Sequence, residues 1–205
     1  MLRKNPARKI IFMVIGLVFS IMAAGQTNGD YQTRASGNWN SNTTWQIRSG
    51  GAWVNCAPGD YPGATAGAGT VYITNNRTVT VTASVPNSVA ALRIDAGNSN
   101  SYVQFNAAGS LTVSGETYLN STNNFINKAV LIDAGTFRTG SFNINSGNPN
   151  RDAFIRISTG EVTVAGDITM NGNALGAYIL FTGDGSLYAG GAVTGGGLTS
   201  DIGGG

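Results

Sequence analysis

Few side chains in this sequence are able to move a proton, hold a metal or attack a carbon atom. They are ten carboxylates and one thiol, Cys56, and histidine is absent. The lack of histidine removes a Ser-His-Asp or Cys-His device, a His-ligated metal and the commonest general base at neutral pH. Carboxylate chemistry remains. Glycoside hydrolysis needs two carboxyl groups about 5 to 9 Å apart, and lyase chemistry needs a Ca²⁺-binding acidic cluster beside a basic residue. The acids here are Asp30, Asp60, Asp95, Glu116, Asp133, Asp152, Glu161, Asp167, Asp184 and Asp201, spread along the whole chain. Such spreading predicts carboxylates that cap turns or stay solvated, with no catalytic residue, no metal and no cofactor.

The aromatic residues offer a second kind of chemistry. Trp39, Trp45 and Trp53 fall within fifteen residues, with Tyr31 before them and Tyr61 after. An exposed cluster of this composition would stack against sugar rings, whereas a buried one would be the core of a cap. Thr78, Thr80 and Thr82, and less regularly Thr163 and Thr169, read as solvent-facing strand positions. Asn42-Thr-Thr44, Asn76-Arg-Thr78 and Asn120-Ser-Thr122 are glycosylation acceptors only in a host with that machinery.

The elements that must position these residues show themselves as a repeat. Phe105-Asn-Ala-Ala-Gly109-Ser-Leu111-Thr-Val113-Ser-Gly115 is followed by Leu131-Ile-Asp-Ala-Gly135-Thr-Phe137-Arg-Thr-Gly140. Ile157-Ser-Thr-Gly160-Glu-Val162-Thr-Val164-Ala-Gly166 and Phe181-Thr-Gly-Asp-Gly185-Ser-Leu187-Tyr-Ala-Gly190 follow in turn. The first glycines lie 26, 25 and 25 residues apart, and each is followed two places on by Leu111, Phe137, Val162 or Leu187. Between the glycines apolar residues alternate, as in Val79 with Val81, Val103 with Phe105 and Ile155 with Ile157, which is the period of a half-buried strand.

Short strands at a fixed spacing of about 25 residues predict an all-β, parallel β-solenoid with essentially no helix. Each repeat would form one coil, and coils would stack about 4.8 Å apart. Leu111, Phe137, Val162 and Leu187 would then form one internal ladder, with glycines at the corners where the backbone needs positive φ. A sandwich or meander also accommodates turns at this density but does not require the shared register. In the solenoid, Glu116 and Asp167 lie two coils apart with Ser141 between them, and Glu161 has Thr136 and Ser186 as ladder neighbours. Asp95 and Asp133 fall on different faces, and Asp184 sits in a turn.

Charge separates the start of the chain from the rest. Arg3, Lys4, Arg8 and Lys9 precede the apolar run Ile10 to Ala24, the pattern of a secretory signal peptide with Ala23 and Gly25 at the cleavage site. Fifteen helical residues span about 22 Å, short of a bilayer core of about 30 Å, so no permanent membrane span is expected. Beyond residue 25, eight basic residues face ten acids, a formal charge of −2, and Lys128 is the one lysine. Nucleic-acid binding is therefore not expected. Cys56 alone cannot form an internal disulfide, so the exported chain must be held together by its strands.

Ser36-Gly-Asn-Trp39, Thr44-Trp45, Gly51-Ala-Trp53, Pro58-Gly59, Val71-Tyr-Ile73, Thr78-Val-Thr-Val81, Leu92-Arg-Ile94, Gly97 and Leu111-Thr-Val-Ser-Gly115 occur in an order that resembles the N-terminal region of large secreted β-helix repeat proteins of Bacteroidota-type bacteria. The order is similar, more loosely, to the eight-glycine domain. The resemblance spans residues 30 to 190 and implies a right-handed parallel β-helix at the cell surface. The resulting division is a signal peptide over 1–25, an aromatic-rich cap over 26–70 and coils over 71–205, with further coils expected beyond Gly205. The function expected is that of a secreted or cell-surface, adhesin-like structural protein, not an enzyme, with glycans or other surface components as partners. The rival expectations are a carbohydrate-binding module using Tyr31, Trp39, Trp45 and Trp53, and the N-terminal part of a polysaccharide lyase or hydrolase.

Overall fold

The computed structural model describes residues 26–74, 76–95, 99–106, 108–121, 126–147, 152–172 and 176–195. The leader assigned to 1–25, Gly97, Thr122 and the stretch from Leu198 onward lie outside these residues. The strands are β1 (Tyr31–Thr33), β2 (Gly37–Asn38), β3 (Trp45–Ser49), β4 (Ala52–Asn55), β5 (Ala68–Tyr72), β6 (Thr78–Val81), β7 (Val89–Ile94), β8 (Ser101–Phe105) and β9 (Ser110–Ser121). They continue as β10 (Lys128–Ile132), β11 (Thr136–Ser146), β12 (Ala153–Ile157), β13 (Glu161–Val164), β14 (Ile168–Gly172), β15 (Ala177–Phe181), β16 (Ser186–Ala189) and β17 (Val193–Gly195). Among the described residues the helical content is one 3-10 turn, Asn42–Thr44.

The chain forms a parallel β-solenoid of about four turns, roughly 25 residues apart. One sheet runs in the order β16-β13-β11-β9-β7-β5-β1-β3-β4, with β14 and β17 continuing it beside β11, and a second runs β15-β12-β10-β8-β6-β2. Every pairing is parallel except β1 with β3 and β3 with β4. Those two antiparallel pairs form a hairpin layer at the N-terminal end of the stack, turned at Gly50 and Gly51, both with positive φ.

The predicted ladder is present residue for residue. Leu111 pairs with Phe137, Phe137 with Val162, and Val162 with Leu187. The first three are buried and Leu187 is half-buried. The second sheet carries its own column, Val81, Phe105, Ile132, Ile157 and Phe181. Period two puts one side of each strand inside, and identical register puts the same position inside on every coil.

The repeat glycines stand where expected, for a different reason. Of Gly109, Gly115, Gly135, Gly140, Gly160, Gly166, Gly185 and Gly190, only Gly135 has positive φ, at 83°. The others are fixed by close approach of the coil before. A Cβ on Gly115 would sit 2.6 Å from the Ala90 carbonyl oxygen, and one on Gly140 2.6 Å from that of Ser114. Gly109 and Gly190 would meet the carbonyls of Val81 and Ala165, while Gly160 and Gly185 would meet the side chains of Ile132 and Ile157. Stacked corners bring backbone against backbone, and only a residue without Cβ fits there.

Candidate functional site

Most of the described carboxylates have a structural occupation, and Asp201 lies outside the described residues. The register puts Ser141 opposite Glu116 and, one residue before the Phe142–Ile168 pair, opposite Asp167, so the two acids are two coils apart as expected. Glu116 accepts from the Asn143 amide at 3.4 Å, and Asp167 accepts from the Ala192 main-chain N–H at 2.8 Å. Glu161 lies between Thr136 and Ser186 and pairs with Arg138 at 3.3 Å. Asp95 ends a strand of the first sheet and pairs with Arg93 at 2.7 Å, while Asp133 follows a strand of the second sheet and pairs with Arg156. Asp184 is exposed in its turn. Among the described residues no three His, Cys, Asp or Glu come together as a metal site.

Two acids are tied into the N-terminal layer, Asp30 buried and Asp60 half-buried. Asp30, 3% exposed, accepts from the Thr27 N–H at 2.7 Å and the Thr70 N–H at 2.8 Å, tying the start of the described chain to β5. Asp60 accepts the Tyr31 hydroxyl at 2.9 Å. Burial, followed by the charge of Asp60, pushes the Cys56 thiol up to about 12. A thiol held protonated and buried is no nucleophile at neutral pH.

The tryptophan cluster is a core. Trp39 and Trp45 have no exposed surface, their rings meet edge to face at 5.0 Å, and both indole N–H groups are bonded, to the carbonyl oxygens of Pro62 and Trp39. Tyr31 is 4% exposed. The stacking role expected of Trp39, Trp45 and Tyr31 is thereby overturned, because none presents a ring face to a sugar. Trp53 is half-buried, and the Arg48 guanidinium lies 5.5 Å from its ring centre. The bare apolar end of a coil explains the burial: Trp39, one residue past the Asn38–Thr80 pair, falls in line with Val81 and covers the floor of the second-sheet column.

The two sheets differ on their outer faces. The first presents Thr112, Ser114, Asn120, Asn143, Asn145 and Asn171, with the amide of Asn145 donating to Asn120 at 3.0 Å up the stack. A shallow groove of about 270 Å³ follows its corner past Thr112, Arg138, Gly140 and Thr163. The second sheet carries Tyr102, Ala129, Phe154 and Tyr178 in one outward row and Gln104, Leu131, Arg156 and Leu180 in the next. Phe154 and Tyr178 stack with centroids 5.0 Å apart and planes at 7°. Asp133 joins this face, accepting from Gln104 at 2.6 Å and from Arg156. Burial and the nearby Asp152 carboxylate, which accepts the Tyr178 hydroxyl, push that phenol up to about 12.

This aromatic face is the feature that inward-looking alternation passes over. Its signal was in the sequence, because Phe154 in Ala153-Phe-Ile-Arg-Ile157 and Tyr178 and Leu180 in Ala177-Tyr-Ile-Leu-Phe181 put apolar side chains at outward positions. No family model, curated protein or solved structure matches the chain.

Proposed function

We propose that the chain is an exported, non-catalytic surface protein in which the solenoid is a stiff shaft holding an adhesive face away from the cell. The observation that carries this reading is the coil-to-coil register, continuous along the second sheet and resumed on the first after bulges between Val89 and Leu92 and between Thr139 and Ser141. Backbone hydrogen bonds running along the stack, with apolar columns inside, make a rod whose bending breaks many bonds at once. The leader-like first 25 residues and the resemblance to Bacteroidota-type β-helix surface proteins support the placement outside the cell. The dispersal of the carboxylates supports the non-catalytic part.

Labelling of intact source cells with antibody to the purified chain tests the proposal. Intact cells should label, the exported chain should begin at Gln26, and deletion of the gene should reduce attachment. Label seen only after permeabilisation overturns the placement. Turnover of any polysaccharide by the purified chain overturns the non-catalytic reading.

A further inference from the structure

The outer face of the second sheet gathers half-buried apolar residues on adjacent strands, whereas the outward aromatics of the first sheet, Tyr72, Tyr118 and Tyr188, stand among polar and charged neighbours. Across β8, β10, β12 and β15 its two outward rows hold Tyr102, Phe154, Tyr178, Leu131 and Leu180, where a solvent-facing strand ordinarily carries polar residues. The neighbouring positions on β6 are Thr78 and Thr80, so the apolar character begins partway along the stack. The Phe154 and Tyr178 rings are nearly parallel at a centroid distance of 5.0 Å. Parallel rings at that separation are offset, and both side chains are half-buried, so part of each ring stays open to a partner.

Polar groups on this face are few and fixed. Arg156 and Asp133 pair across adjacent coils, with side chains 35% and 32% exposed, and Gln104 donates to the same carboxylate. Their charges cancel, leaving a fork of donors beside acceptor oxygens. No lysine is presented here, since Lys128 is buried. The Asp152 carboxylate, which accepts the Tyr178 hydroxyl, adds a negative charge beside the rings, so a partner suited to this face carries no negative charge, has an apolar flank to lie on the rings and has paired hydroxyls to meet the fork. A pyranose meets all three conditions. Rungs about 4.8 Å apart repeat the contact at the scale of one sugar ring.

From this we infer that the outer face formed by Phe154, Tyr178, Leu131, Leu180 and the Gln104–Asp133–Arg156 network binds a neutral glycan chain lying along the solenoid axis. The inference deepens the adhesive reading above and rests on it for the glycan's place outside the cell. It moves sugar binding away from Trp39 and Trp45, which the fold consumes.

Native gels cast with soluble xylan, glucomannan, hydroxyethyl cellulose or polygalacturonate test it on the full chain. At least one neutral polymer should retard the protein, and Phe154→Thr and Tyr178→Thr should each weaken retardation on the order of ten-fold, the scale of a lost aromatic contact. Threonine keeps an outward strand position folded, which circular dichroism and the melting transition verify. Trp53→Ala should leave retardation unchanged. Absence of retardation by all three neutral polymers, retardation by polygalacturonate alone, or retardation untouched by both threonine variants overturns the inference. So does a concentration-dependent dimer in sedimentation that Phe154→Thr disperses, since the face would then belong to a second copy. The surface reading fails separately, by the cell labelling described above, whatever the gels show.

Discussion

Trp45 donates its indole N–H to the carbonyl oxygen of Trp39 at 2.7 Å, and the two rings, 5.0 Å apart, close the N-terminal end of the solenoid. The pair joins the last antiparallel layer to the first parallel coil. Trp39→Ala should cost about 3 to 5 kcal/mol, the range for emptying a buried aromatic site. Trp45→Phe keeps most of the volume and loses the donor, at about 1 to 3 kcal/mol. Urea unfolding followed by fluorescence measures both, and equal effects from the two variants would contradict the assignment.

Asp30 holds two main-chain N–H groups, those of Thr27 and Thr70, 43 residues apart in the chain. Asp30→Ala leaves those donors unsatisfied and should destabilise the chain by about 1 to 3 kcal/mol. Hydrogen exchange at the Thr70 amide should accelerate in the variant, and unchanged protection there would count against the role.

The repeat glycines permit a test of cause. If backbone freedom were what Gly115 supplies, Gly115→Asn would be better tolerated than Gly115→Ala, since Asn enters positive φ more readily. Close approach to the Ala90 carbonyl makes any Cβ equally unwelcome, so both variants should lose about 1 to 3 kcal/mol. Gly166→Ala, where the nearest contact is 3.0 Å from the Gly140 carbonyl, should lose less. Melting temperatures of the three variants decide between the explanations.

Alkaline pH should weaken the N-terminal layer. Cys56 moves from 9.0 when free to about 12 in the fold, by burial first and then by the charge of Asp60, and the Tyr31 phenol is raised from 10.0 by the same causes. Groups whose ionisation is resisted by the fold contribute stability that is complete below their unfolded values. That contribution declines from about pH 9 upward, through the interval to about 12, as the unfolded chain releases protons first. The urea midpoint should be level between pH 7 and 8.5 and fall above it, and Cys56→Ala should flatten the first part of the fall. Iodoacetamide should leave Cys56 unmodified at neutral pH until the protein unfolds.

The inner ladder offers a graded series. Phe137→Ala should be among the most damaging single changes, about 3 to 5 kcal/mol, and Leu187→Ala milder because that residue is half-buried. A reversed order in urea denaturation would show that the coils are not packed as the register places them.

The architecture was legible in the sequence because a solenoid writes its contacts as a period. Leu111, Phe137, Val162 and Leu187 are neighbours in space for the same reason that they recur in the chain. The reason for the glycines was not legible, because positive φ and backbone contact leave the same letter. Trp39 and Trp45 read first as the core of a cap, with a sugar platform as the rival, and what placed them as a floor was the bare end of the Val81 column, a tertiary fact. Phe154 and Tyr178 escaped notice since an outward aromatic beside inward isoleucines looks like more core. Thr117 and Thr139, buried and hydrogen-bonded to each other at 2.9 Å, are the opposite case, polar residues at inward positions that alternation assigns to apolar ones.

Because the tryptophan floor lies at the end made first by the ribosome, the stack has a direction in time. A chain emerging N-terminus first completes its closed layer before the later coils exist. Each new coil then meets a finished sheet edge, so the sealed end offers a template whose register the next coil can copy.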